Sequence, residues 1–195
     1  MSQNRARALA RYALLATGLL LAPAAQAGDE ETWALLKQPG HIALLRHSNA
    51  PGGRLEPYGM DLKDCAIQRN LDDEGRAQAR RLGAELRKHG LANVRIVSSQ
   101  FCRALETGKL LGVGPVGELA ALNQIYAADV DKLTAATAQV KAYMHNIPRN
   151  QPAVLVSHVT NIFDILGVNL SSGEVAVVHL DAAGALVLDG RVMVK

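Results

Sequence analysis

Arg46 and His47 stand at the end of the apolar run His41-Ile42-Ala43-Leu44-Leu45 and directly before Ser48, Asn49, Pro51, Gly52 and Gly53. An apolar run that empties into residues of this kind reads as a buried strand ending in a loop. The C-terminal ends of strands in a parallel sheet are where α/β proteins build their sites. Two further short strands end in the same manner. Residues 94–97 run into Ser98-Ser99, with Arg103 one helical turn on, and residues 153–156 run into Ser157-His158. If these strands share one sheet, two imidazoles and two guanidiniums converge on one edge. That set suits phosphoryl transfer. An imidazole nitrogen can attack phosphorus and carry the group covalently. Guanidiniums neutralise and orient its oxygens with a forked geometry that lysine lacks, and the second imidazole can hydrogen-bond the transferring group. The histidine spacings contain neither H-E-x-x-H nor a Cys/His zinc pattern, so the chemistry expected here uses no metal and no cofactor.

The elements that must position these residues alternate. The patterning predicts a short helix over 29–38, the strand 41–47, and a long polar segment over 48–70. Segments of that length in compact domains are usually functional or disordered. A helix over 71–89 follows, with Asp72, Asp73 and Glu74 at its start, Lys88 and His89 at its end and Gly90 as its stop. Beyond it come a strand at 94–97, a helix over 101–111, a short strand within 116–122, an Ala-rich helix over 129–145, a strand at 153–156 and a helix beginning near 161. Residues 175–180 and 185–188 read as a terminal hairpin around 181–184. Strands alternating with helices imply an α/β fold, a three-layer sandwich with a mainly parallel central sheet and helices on both faces. Gly112-Val113-Gly114-Pro115-Val116-Gly117 matches G-x-G-x-x-G in letters only. It follows a helix, contains Pro115 and opens no helix, so it reads as a turn.

Residues 1–27 read as a cleavable signal peptide. Arg5, Arg7 and Arg11 form a basic start, residues 12–21 an apolar stretch, and Ala25-Gln26-Ala27 a small-x-small cleavage site. Residues 28–195 are then expected to form one domain of 168 residues, large enough for a core of its own. The whole chain carries 21 basic and 18 acidic residues, but three of the basic ones lie in the leader. The mature domain is therefore balanced, which argues against a nucleic-acid partner. Periplasmic or secreted location, with no stable membrane association after cleavage, is the expectation. In an oxidising compartment the two cysteines, Cys65 and Cys102, have only each other to pair with, so a disulfide is expected.

On four segments the chain resembles the histidine phosphatase superfamily, the phosphoglycerate mutase-like fold. These are Leu44-Leu45-Arg46-His47; Asn70-Leu71-Asp72-Asp73-Glu74-Gly75-Arg76-Ala77-Gln78-Ala79; Ser98-Ser99-Gln100-Phe101-Cys102-Arg103-Ala104-Leu105-Glu106-Thr107; and Val156-Ser157-His158. The resemblance implies that His47 is the phosphorylated nucleophile and that Arg46, Arg103 and His158 complete a phosphate pocket. It implies a phosphatase acting on a small-molecule or protruding phosphate group. Glu106 and Thr107 match the family but read as packing and hydrogen-bonding residues, and His41, His89, His145 and His179 as structural or solvent-facing.

The family's leaving-group acid is where the chain departs. Residues 157–162 followed by Ser172-Gly173-Glu174 look more like the acid phosphatase and phytase branch, where an Asp follows the histidine; here that residue is Val159. In the mutase-like branch the acid is a Glu after the second arginine, and Gln124 aligns there. Asp129, Glu118, Glu56 and Asp61 are the carboxylates that could replace it, with Asp129 taken first. The same departure admits the reading of a phosphate-binding pseudoenzyme; a mutase-type phosphotransferase is a second rival, against which the expected export argues because glycolytic substrates are cytosolic.

Overall fold

The computed structural model describes residues 29–52, 56–57, 59–126 and 128–194. The expected leader, residues 1–27, lies outside the described residues. The helices are α1 (Asp29–Leu35), α2 (Asp73–Lys88), α3 (Cys102–Leu111), α4 (Val130–His145) and α5 (Val159–Leu166). The strands are β1 (His41–Arg46), β2 (Arg95–Ser98), β3 (Val116–Glu118), β4 (Ala153–Ser157), β5 (Glu174–Leu180) and β6 (Leu186–Met193). They form one sheet in the order β3-β2-β4-β1-β5-β6. The first four run parallel, and the terminal hairpin β5–β6 adds two antiparallel strands beside β1. No described helix is long and apolar enough to cross a membrane.

Alternation along β1 explains why its sequence is apolar throughout. Ala43 and Leu45 face a core shared with Trp33, Leu36, Leu82, Leu86 and Leu111 of the α1–α3 layer. Ile42 and Leu44 face a second core with Val140, Met144, Ile162 and Ile165 of α4 and α5. A strand covered on both faces has no polar side to show. The expected three layers are present. The elements agree with the sequence reading in order and type but differ at their ends: α1 stops at Leu35 rather than 38, α2 starts at Asp73 rather than 71, α5 starts at Val159 rather than near 161, residues 120–122 leave the strand as a turn of 3-10 helix, and β6 runs on to Met193 rather than ending at 188, paired with β5 along its length.

Helix α2 does more than cover the sheet. Asp72 caps it by accepting from the Gly75 amide at 2.7 Å, and also accepts from the Asn49 amide nitrogen at 2.9 Å. A Cβ on Gly75 would sit 2.0 Å from the Asn49 carbonyl oxygen, so only glycine lets the loop after His47 lie on this helix end. Gln78 accepts from the Asn49 backbone amide at 3.0 Å and donates to the Ser172 carbonyl at 2.8 Å. The start of α2 is thus a clamp on the segment that carries His47.

Candidate active site

Sheet register brings the strand ends together. Arg46 pairs with Ser157 across β1–β4, and Ser98 with Val156 across β2–β4. One residue beyond each strand the ladder continues. The His47 amide donates to the Ser157 carbonyl at 3.0 Å and the Ser99 amide to the Val156 carbonyl at 2.9 Å. His47, Ser99 and His158 are therefore neighbours because three parallel strands stop in step. The two imidazole centroids are 5.2 Å apart. Arg103, in the first turn of α3, points into the same place and is fully buried.

Hydrogen-bond partners fix the protons on both rings. Nδ1 of His47 lies 2.8 Å from the Ser48 carbonyl, which can only accept, so the proton is on Nδ1 and Nε2 carries a lone pair. Nε of Arg103 donates toward that lone pair at 3.3 Å. His158 has the opposite tautomer: Nδ1 faces Nη2 of Arg103 at 3.4 Å, while Nε2 donates to the Ser99 hydroxyl at 2.7 Å. Burial, reinforced by Arg103, Arg46 and Arg69 and only partly offset by the Ser48 bond, lowers the His47 pKa to about 3. Burial first, then His47 and the same arginines, also pushes His158 well below its ordinary value. Two neutral imidazoles among cations are what a nucleophile aimed at an anion requires.

The guanidinium of Arg103 is held from several sides. It stacks over Phe101 at 4.7 Å, donates from Nη2 to Gln124 Oε1 at 2.5 Å, and forks onto Glu56 through Nη1 at 2.6 Å and Nη2 at 3.3 Å. Arg46 is half-buried and donates to the Leu170 carbonyl at 2.8 Å, while its Nε is buried without a partner among the described residues. Burial and Arg69 draw the Arg46 pKa down, partly offset by Glu174. Burial does the same to Arg103, against the raising effect of Glu56. Thr107 ties the site together, donating to the Arg103 carbonyl at 2.7 Å and accepting from the Ser48 amide at 3.0 Å.

Arg46, His47, Arg103 and His158 are thus assembled as the sequence suggests. So is the disulfide. Cys65 and Cys102 are bonded, with their Cα atoms 5.8 Å apart, and link the segment after His47 to the start of α3. The expected acid is not. Asp129 directly precedes α4 and lines the adjoining cleft, partly exposed and paired with Lys132 at 2.5 Å, and that bond holds its pKa below the usual carboxylate value. A carboxylate neutralised by a surface lysine has no reason to carry a proton to the pocket. Val159 lines a separate cleft with Val130 and Phe163.

Arg69, which the sequence reading did not single out, belongs here, its charge acting on Arg46, His47, Arg103 and His158, and so does Glu56, one of the four carboxylates named as replacements for the acid. Arg69 directly precedes the Asn70-Leu71-Asp72 match and lies four residues past Cys65. Its place beside the disulfide was the available signal. At the opposite end of the sheet, His41 and His179 meet over Asp189, with Nδ1 of His179 at 2.8 Å and Nε2 of His41 at 3.6 Å from the same carboxylate oxygen. This structural cluster pairs two of the four histidines read as having no role in the site.

The neutral imidazoles make a pH dependence. An unfolded histidine takes up a proton below about pH 6.5, and the native His47 and His158 do not. Unfolding then binds protons, so stability is intact above pH 6.5 and falls as pH drops toward 3. Each ring contributes a slope of about 1.4 kcal/mol per pH unit. Denaturant unfolding between pH 6.5 and 5, above the range where carboxylates titrate, should show this fall, and His47→Ala should remove about one ring's share of it. A flat profile in the unmodified protein would mean that the rings charge in place.

The comparisons with known proteins agree with this geometry. Residues 42–163 match the family model of the histidine phosphatase superfamily, branch 1. The likeness of residues 157–162 to the acid phosphatase and phytase branch is therefore set aside. No curated protein matches the chain. Among solved structures, the protein histidine phosphatase SixA complexed with tungstate superposes with a TM-score of 0.56 at 18% identity, over 78% of this chain and 96% of that one. Native mycobacterial glucosyl-3-phosphoglycerate phosphatase gives a TM-score of 0.60 at 16% identity, over 78% and 98%. Phosphoserine phosphatase from Entamoeba histolytica in complex with 3-phosphoglyceric acid gives 0.57 at 16% identity, over 77% and 95%. At these identities the likeness is one of fold.

Proposed function

The chain belongs to the histidine phosphatase superfamily, branch 1; it is a phosphatase with a histidine nucleophile, and we propose that the nucleophile is Nε2 of His47. The observation that carries this is the unprotonated Nε2, fixed by the Nδ1–Ser48 bond, inside a pocket with Arg46, Arg69 and Arg103. In the first step the lone pair forms an N–P bond while the bond from phosphorus to the leaving oxygen breaks. In the second, a water oxygen displaces the imidazole and inorganic phosphate leaves. The arginines neutralise the equatorial oxygens throughout. His158, its Nδ1 facing Arg103, completes the pocket wall.

The substrate in this reading is a phosphomonoester or a phosphoramidate. Its phosphate enters through a cleft of about 580 Å³ between the segments around 56–62 and 123–132. We place the activity in the periplasm or outside the cell, following the leader-like residues 1–27. A disulfide beside the pocket suits an oxidising compartment. Brief exposure of the protein to labelled substrate, followed by denaturation, should leave acid-labile phosphate on His47. Recovery of none, with phosphate still released, would overturn the covalent route. Bisphosphoglycerate in the same assay tests the mutase reading, which requires phosphate to reappear on an acceptor rather than in solution. The pseudoenzyme reading requires phosphate to bind without release.

A further inference from the structure

Phosphoryl transfer to His47 leaves negative charge on the departing oxygen, and neither Val159 nor Gln124 can supply a proton to it. We propose that Glu56 is the proton donor to the leaving group, released to that task when substrate phosphate takes its place on Arg103. The inference rests on the phosphatase reading above.

Three observations carry it. First, the side chain of Glu56 is only 6% exposed and engages both arms of the Arg103 fork, while its Oε1 also accepts from the Arg69 backbone amide at 3.1 Å. Donors arranged this way around a carboxylate are arranged for any planar or tetrahedral oxyanion. In the free enzyme the carboxylate stands where two phosphate oxygens would be held. Second, Arg103 also contacts the nucleophile, so phosphate within reach of Nε2 must share or capture that fork. Phosphate carries more charge than a carboxylate and wins the exchange. Third, Glu56 lines the adjoining cleft with Pro57, Met60, Leu62, Phe101 and Ile125, a cleft whose lining includes neither His47 nor His158. A leaving group that extends beyond the phosphate has that cleft to occupy. The displaced carboxyl therefore stands at the junction between phosphate and leaving group.

Displacement also changes what the carboxyl faces. Off the guanidinium, the carboxyl group comes to face the phosphoryl oxygens across the cleft. Glu56 takes a proton from solvent as substrate enters. As the N–P bond forms and the ester bond breaks, that proton passes to the leaving oxygen and the alcohol departs. The carboxylate next accepts a proton from the water whose oxygen attacks phosphorus, the N–P bond breaks, and the carboxyl is restored. Substrate and water become alcohol and inorganic phosphate with no other reactant.

Glu56→Gln keeps the shape and removes the proton; it also strands the buried Arg103 cation, so it is assayed below its own unfolding midpoint and beside Glu56→Asp, which keeps the charge. Two esters with apolar bodies suited to the cleft test it: 4-nitrophenyl phosphate, whose leaving group departs unaided, and 2-phenylethyl phosphate, whose leaving group does not. The expected result is a loss of about 10²–10⁴-fold in kcat/KM, which reports the step that phosphorylates His47, for the alkyl ester, with a much smaller loss for the aryl ester. Inorganic phosphate should inhibit the variant at lower concentration than the parent, because its competitor has gone. Glu56→Asp should recover part of the alkyl activity. Phosphorylation of His47 by the aryl ester in the variant certifies the fold and the phosphatase reading independently, because that step needs no proton from residue 56. Equal loss on both esters, or loss on neither, would overturn the role of Glu56, and the absence of aryl turnover in the unmodified protein would instead overturn the function on which it rests.

Discussion

His47→Ala is expected to lower kcat/KM by about 10⁶-fold on every substrate, the scale of loss seen when a covalent nucleophile is removed. The reason is that nothing else in the pocket can take its place. His158 presents its only lone pair to Arg103 at 3.4 Å, and Ser99 is engaged with His158. The fold should survive. His47 lies one residue past β1, its backbone is held by the Ser157 carbonyl, and its ring belongs to neither hydrophobic cluster. The variant should still bind inorganic phosphate through Arg46, Arg69 and Arg103, which separates loss of chemistry from loss of the pocket. Turnover within tenfold of the parent would remove His47 from the mechanism.

Arg103→Ala is expected to be as damaging to turnover and far more damaging to stability. Its guanidinium is fully buried and is the ion-pair partner of a carboxylate that is itself 6% exposed. Removing one partner of a buried pair strands the other, at a cost of about 3–5 kcal/mol. The double variant Arg103→Ala with Glu56→Gln should recover much of that loss, because the stranded charge is gone, yet recover no activity. Arg103→Lys should fold better than Arg103→Ala and still be severely impaired, since an ammonium cannot reproduce the fork that engages Glu56 and Gln124 in the free enzyme and would grip phosphate oxygens in the complex. Unfolding midpoints and kcat/KM on the four proteins form a double-mutant cycle. If the double variant is no more stable than Arg103→Ala, the Glu56 pair is not what the arginine stabilises.

Much of the site was legible in the sequence because regular structure transmits it. Arg46-His47, Ser98-Ser99 and Ser157-His158 each follow an apolar run, and parallel strands that end in step place such residues side by side. The disulfide was legible for a simpler reason, that two cysteines offer one pairing. Even Gly75 belongs to a readable segment, although its cause, the Asn49 carbonyl pressed against its Cα, is visible only in three dimensions. The acid is less legible: Asp129, Glu118, Glu56 and Asp61 all lie in loops or at element ends, where there is no period to read, and in the fold Asp129 lines the cleft paired with Lys132 while Glu56 pairs with Arg103.

What only the tertiary structure decided lies in residues 48–70, which have no period to read. Hydrogen-bond ladders fix which strand residues are neighbours, but the partner of a loop side chain is set by whatever the rest of the fold has buried nearby. Here the disulfide and Gln68, which donates to the Leu62 carbonyl at 2.8 Å and accepts from the Cys102 amide at 3.0 Å, hold the loop against α3. That bracing sets Arg69 beside the pocket. It also delivers Glu56 to Arg103, because a guanidinium removed from water requires an anion, and the nearest carboxylate on the braced loop supplies it. The sequence by itself determined the cations and the nucleophile at the sheet edge; the burial of one arginine decided which carboxylate stands opposite them.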